Sequence, residues 1–118
     1  MKRSDRIIIG KIIEEAHVMA QSLDGYDESA FLANEDKKRA TSMTLINIGE
    51  LVKNLSVEFR DEYKSIPWKE IAGFRDVAAH GYFTLRMDDV WIYASLELPR
   101  LSEEIRKILD DEEKTTTE

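Results

Sequence analysis

Within eight residues the chain places an arginine, a carboxylate, a histidine and a tyrosine: Arg75-Asp76-Val77-Ala78-Ala79-His80-Gly81-Tyr82. Arginine carries a permanent charge and a fork of donors matched to phosphate oxygens. Histidine is the side chain best suited to moving protons near neutral pH. Cleavage of a phosphodiester needs both jobs done and does not of itself need a metal. Geometry adds a condition. At about 100° per residue, five steps set Arg75 and His80 some 140° apart on a regular helix. They converge only if the helix loosens at Gly81, so that His80 swings back, or if two chains contribute to one site. Asp76 lies four residues before His80, a spacing at which helical neighbours touch, and would orient the imidazole and stabilise its charged form. On these residues alone a plainer alternative stays open: an Arg–Asp pair, a histidine interacting with a helix end, and a core tyrosine.

The only other histidine is His17, in Glu14-Glu15-Ala16-His17. Glu-x-x-His is a spacing that helical di-iron sites use, but they need two such motifs, and the residue three before His80 is Val77. No metal site and no cofactor are expected, and His17 reads as an exposed or half-buried helix residue. With no cysteine in the chain, disulfides and thiolate-ligated metals are excluded. This fits a reducing, cytoplasmic setting. The apolar run Ile7-Ile8-Ile9 is too short, and too closely followed by charges, for a signal peptide or a membrane span.

The elements that must carry these residues read as helices. The first is predicted from about Asp5 to Asp24, on Ile8, Ile12, Ala16, Met19 and Leu23, with Gly25 past its end. A short turn is expected at Ser29–Ala33. A second helix is predicted from Asn34–Asp36 to about Phe59 or Arg60, on Ala40, Thr44, Ile48, Leu51 and Leu55. Pro67 suits the first position of a third, which Gly81 ends. A fourth opens near Asp88-Asp89 and carries Trp91, Ala94, Leu98, Leu101, Ile105 and Ile108, with Pro99 expected to kink it. No segment reads as a strand. The fold class is therefore all-α, an antiparallel four-helix bundle over residues 1–110, followed by an acidic polar tail, 111–118, expected to fray.

A net charge of −7 argues against a generic nucleic-acid binder, which gains affinity by neutralising phosphates. The charge is uneven, however. Residues 110–118 hold five carboxylates and one lysine, whereas Lys37, Lys38, Arg39, Lys53, Arg60, Lys64, Lys69, Arg75 and Arg86 fall in the middle of the chain, so a local basic surface is compatible with the acidic total. Trp68 and Trp91 are expected as core or interface aromatics. Gly49, costly in mid-helix, is expected where helices approach closely. Glu50 is either a solvated residue or a polar partner near the site.

The spacing Arg-x-x-x-x-His-x-Tyr resembles the signature of HepT-like proteins in the HEPN superfamily. The likeness extends to Ile66-Pro67-Trp68-Lys69-Glu70-Ile71, His80-Gly81-Tyr82-Phe83, Ile48-Gly49-Glu50 and Leu98-Pro99-Arg100-Leu101, over about Ser4 to Leu109. The resemblance implies the toxin of a type II-like toxin–antitoxin pair, a metal-independent RNA endonuclease. It would work as a homodimer or higher even oligomer, with two motifs facing one cleft. His80 would help deprotonate a ribose 2′-hydroxyl that attacks the adjacent phosphate, and Arg75 would stabilise the charge gathering on phosphorus. The resemblance also implies a partner, a minimal nucleotidyltransferase antitoxin that transfers AMP to Tyr82. Two departures stand out: Asp76 occupies a place commonly held by Asn, and Ala78 and Ala79 replace larger aliphatics. The motif equally fits a non-catalytic helical binding partner of a nucleotidyltransferase, and a purely structural helical dimer is a third reading.

Overall fold

Apolar residues at steps of three and four give each long helix one buried stripe, and those stripes meet in a single core. The computed structural model describes the backbone of residues 1–117 and the side chains of residues 1–114. In α1 (Arg3–Ser22), Ile9, Ile12, Ile13, Ala16 and Met19 face inward. Gly25, at φ 81°, turns the chain after it. Asp27 caps α2 (Glu28–Leu32), accepting from the Ala30 N–H at 2.8 Å, and Asn34 caps α3 (Glu35–Lys53), accepting from the Lys37 N–H at 2.9 Å.

Here the structure departs from the expected helix running to Phe59 or Arg60. α3 stops at Lys53, and a separate short helix, α4 (Val57–Glu62), follows. Asn54 turns its amide back onto the Glu50 carbonyl at 2.9 Å. Ser56 leaves helical geometry, at ψ 152°, and caps α4 through the Phe59 N–H at 3.2 Å. Asp5 of α1 fixes the break: its carboxylate, 2% exposed, accepts from the Ser56 N–H at 2.8 Å and the Ser56 hydroxyl at 2.6 Å. Leu55 and Phe59 are both buried, so the apolar stripe runs on across a break that periodicity does not register.

The remaining elements are α5 (Trp68–Ala78), a 3₁₀ turn (Tyr82–Thr84), α6 (Met87–Ile92), a π-helical segment (Tyr93–Glu97) and α7 (Leu98–Thr117). Pro67 is the residue just before α5 rather than its first. The π-helical segment immediately precedes Leu98-Pro99, where a kink was expected. Pro99 offers no N–H, and a proline ring in a regular α-helix would clash with the carbonyl four residues back, so a wider turn there has a local cause.

Contacts between helix ends establish the antiparallel order. Lys37 at the start of α3 donates to the Ser22 carbonyl at the end of α1 at 3.0 Å, while Asp5 at the start of α1 meets Ser56 beyond the end of α3. The amino terminus lies 3.6 Å from Glu112 late in α7. Arg39, near the start of α3, sits over the ring of Tyr82, beyond the end of α5. The protein is thus an all-α antiparallel four-helix bundle, with α6, the π-helical segment and α7 together forming the fourth helical run. Trp68 is buried and donates its indole N–H to the Tyr63 carbonyl at 3.1 Å, and half-buried Trp91 packs on Phe31 with centroids 5.2 Å apart.

α7 runs on past residue 110, and Glu112 accepts a hydrogen bond from the hydroxyl of half-buried Tyr63. The frayed tail expected over 111–118 falls partly outside the described residues. Among the described residues no helix is long and apolar enough to cross a membrane.

Candidate active site

The motif is positioned by the contact between α3 and α5, and that contact depends on Gly49. A Cβ built there would lie 2.9 Å from Arg75 Cβ, 3.3 Å from the Ile71 carbonyl oxygen and 3.4 Å from Ala72 Cα. Only a residue without a side chain permits this approach. It brings Glu50, the next residue, against Arg75: Arg75 Nε donates to Glu50 Oε2 at 2.7 Å. One turn further along α3, Lys53 Nζ donates to Asp76 Oδ1 at 2.6 Å, and Arg75 Nη1 lies 3.6 Å from the same oxygen. Two cations and two carboxylates therefore interlock on one open face. The hydrogen bond from Lys53, followed by the nearby positive charges, holds the Asp76 carboxyl below the usual aspartate range.

His80 is exposed, and among the described residues its ring makes no hydrogen bond. The contact expected between Asp76 and His80 is not formed. The reason is the way α5 ends. Its last α-type bond runs from the Ala79 N–H to the Arg75 carbonyl; His80 and Gly81 then bond only three residues back, to Val77 at 3.1 Å and Ala78 at 2.9 Å. A 3₁₀ turn advances about 120° per residue, which carries His80 off the Asp76 face and farther round from Arg75. The helix tightens where the sequence suggested loosening.

Gly81, at φ 121°, then redirects the chain into the 3₁₀ turn. The Thr84 hydroxyl lies within hydrogen-bond distance of the Gly81 carbonyl, at 2.6 Å, and of the Val77 carbonyl in α5, at 3.1 Å. Tyr82 is half-buried, its ring 5.6 Å below the Arg39 guanidinium and 5.4 Å edge-on to Phe83, which is 85% exposed. The Tyr82 hydroxyl makes no hydrogen bond among the described residues.

One chain therefore joins Arg75 and Asp76 to Glu50 and Lys53, joins Tyr82 to Arg39, and leaves His80 attached to neither group. Glu50, open between two readings in the sequence, is the direct partner of Arg75. Lys53 and Arg39 were missed as site residues. Their signal was present: 11 and 14 steps from Arg39, at about 100° each, bring Glu50 and Lys53 back to within roughly 40° of the same face of α3. His17 is exposed on α1, and among the described residues no three His, Asp or Glu side chains group as metal ligands.

An antiparallel four-helix bundle with Arg-x-x-x-x-His-x-Tyr at the end of its third long helix has the HEPN-like arrangement. A family model described as "Ribonuclease HepT-like" matches residues 12–108. The chain belongs to the HepT-like ribonuclease family. It is 34% identical over 110 residues to a protein named "Putative RNase" of Caldanaerobacter subterraneus subsp. tengcongensis, covering 93% of this chain and 98% of that one. A Methanocaldococcus jannaschii protein named "Gamma-glutamylcyclotransferase and putative RNase" is 32% identical over 114 residues, which span 97% of this chain and 51% of that longer one. A Thermococcus cleftensis protein named "Probable ribonuclease HepT" is 28% identical over 108 residues, 92% of this chain and 98% of that one. No solved structure matches the chain.

Proposed function

We propose that this protein is a toxin ribonuclease of a two-gene toxin–antitoxin pair, cutting RNA without a metal at a site composed by two copies of the chain. The observation that carries the reading is the end of α5. Within one chain the tightened turn keeps Arg75 and His80 on different faces, and each is solvent-accessible. Two motifs facing across a two-fold axis let the histidine of one copy work beside the arginine of the other. In the step proposed, the His80 imidazole takes the proton of a ribose 2′-hydroxyl. The freed O2′ attacks the adjacent phosphorus, and the bond to the 5′-oxygen breaks as that oxygen takes up a proton. The products end in a 2′,3′-cyclic phosphate and a 5′-hydroxyl. Arg75, held at Nε by Glu50, has its outer N–H edge for the charge that builds on the phosphoryl oxygens.

Tyr82 is the proposed site of control. A nucleotidyltransferase antitoxin would join AMP from ATP to its hydroxyl, releasing pyrophosphate. The adduct's phosphate would then stand beside Arg39 as well as near the motif, an anion where substrate phosphate must bind. A second reading, a non-catalytic partner of such a nucleotidyltransferase, draws support from His80 having no side-chain hydrogen-bond partner among the described residues.

The test is direct. Pure protein in EDTA is incubated with end-labelled RNA, the product termini are identified, and the mass in solution is measured by light scattering. Metal-independent cleavage to cyclic-phosphate ends by a dimer or larger even assembly is expected. A monomer of 13.7 kDa that cuts at full rate would remove the composite site, and a dimer that cuts no RNA would leave the binding-partner reading. Treatment with the cognate nucleotidyltransferase, ATP and magnesium should add AMP to Tyr82, and Tyr82→Phe should escape silencing.

A further inference from the structure

Most of the arginines near the motif are already partnered: Arg39 with Glu35, Arg75 with Glu50, Arg86 with Asp88 and Arg100 with Glu97. A groove on the other side of the motif differs. It has a volume of about 590 Å³, lies where α4, the connection after it and α5 meet, and is bordered by Lys53, Arg60, Lys64, Lys69, Asp61 and Asp76. Four cations face two carboxylates here, on a chain whose net charge is −7. Asp76 is bound to Lys53. Among the described residues Arg60, Lys64 and Lys69 have no carboxylate partner, although the chain has more acidic than basic side chains. Arg60 Nε is in addition buried without an acceptor. Val57, Ile66 and Pro67 give the groove an apolar wall beside these charges.

We infer that this groove is a binding track for the sugar-phosphate backbone of single-stranded RNA next to the bond being cut. The inference rests on the ribonuclease reading above. Continuity with the motif favours RNA over another polyanion: Lys53 borders the groove and holds Asp76, the neighbour of Arg75, so a strand whose scissile phosphate meets Arg75 passes directly into the groove. Arg60, Lys64 and Lys69 then take phosphates without first giving up a carboxylate. Lys64 and Lys69 are exposed, so changing them leaves the core alone.

The experiment measures binding of fluorescein-labelled oligouridylate by anisotropy across a salt series, in a His80→Ala background so that RNA is bound and not cut. Two double variants of equal net charge are compared, Lys64→Glu with Lys69→Glu in the groove, and Lys11→Glu with Lys107→Glu on α1 and α7. The groove variant is expected to bind at least about tenfold more weakly, and its log–log salt slope to fall by about 1.4, roughly 0.7 for each phosphate of a single strand that is no longer neutralised. The control should keep the slope of its parent. Equal weakening and equal slopes in both variants would reduce the groove to a net-charge effect and overturn the inference, leaving the ribonuclease reading intact. Unchanged RNA binding, with loss of association to the cognate antitoxin, would reassign the groove to a protein partner. Failure of the parent to bind RNA at all would overturn both readings together.

Discussion

Two carboxylates work within a few residues of the end of α3, one on each side of it, to opposite ends. On the α1 side, Asp5 is buried and takes two hydrogen bonds from Ser56. On the α5 side, Glu50 takes one short bond from Arg75 in a pair that is 54% and 38% exposed. Buried, the carboxylate is fixed architecture, because removing it takes a charged acceptor from two donors at once. Exposed, it is exchangeable, because water and substrate compete for the same N–H groups, and such a pair adds about 0–1 kcal/mol to stability. One helix end therefore anchors the fold on one face and keeps a cation ready for use on the other.

The comparison can be broken most sharply on the exposed face. Arg75→Ala and His80→Ala should each lower RNA cleavage by about 10²–10⁴, while thermal unfolding monitored by circular dichroism stays close to that of the parent. A collapse of the bundle in either variant would make these side chains structural and erase the distinction. The reverse result is expected for Asp5→Ala. Urea denaturation should show a loss of about 3 kcal/mol, since the Ser56 N–H and hydroxyl lose a charged acceptor, with cleavage per folded molecule unchanged.

Smaller effects sharpen the contrast. Glu50→Gln keeps the shape and removes the charge, so stability should move by less than about 1 kcal/mol, and RNA should bind a few-fold more tightly as Arg75 is released from an anion. Weaker binding in that variant would mean that Glu50 chiefly aims Arg75 and does not restrain it. The smallest effect concerns Asp76. Its folded-state pKa is depressed, first by Lys53, so the pair's stabilisation is present above the ordinary aspartate value and is lost as pH falls through the lower folded value. A carboxyl NMR titration of Asp76 should therefore have its midpoint below the ordinary aspartate value, moving up towards that value in Lys53→Ala.

Periodicity disclosed what repeats. Ile12, Ala16 and Met19 of α1, the seam Leu98, Leu101 and Ile105, and the all-α class follow from spacing, because a core-facing helix must return an apolar residue every three or four positions; at the start of α1 it is Ile9, not the expected Ile8, that is fully buried. Arg75, His80 and Tyr82 stood out because their types and spacing are those of a known motif. What stayed hidden depends on contacts between distant residues or on caps. Ser56 ends one helix and starts another within an unbroken apolar pattern, and its partner Asp5 lies 51 positions away. The switch at His80 to hydrogen bonds only three residues back is a local geometric choice that many sequences ending in Gly would share. Lys53 and Arg39 look like ordinary solvated residues until α5 is laid across α3. Gly49 was legible as a point of close approach, but not as the reason Glu50 reaches Arg75.

The π-helical segment between α6 and α7 has a consequence for how this chain counts its residues. A turn closed five residues back holds more residues than an α-helical one, so the face presented before Tyr93 is out of phase with the face after Glu97 by up to about 100° for each added residue. Val90 nevertheless points into the core before it, and Leu98 and Leu101 after it. The segment works as a phase adjuster. It lets the aromatic contact of Trp91 with Phe31 and the long seam against α1 each take its own best rotation within one continuous rod. A single-residue deletion within 93–97 would straighten the hydrogen bonding and set these two faces against each other. A relative without this bulge would then need a compensating change in length elsewhere between α6 and α7.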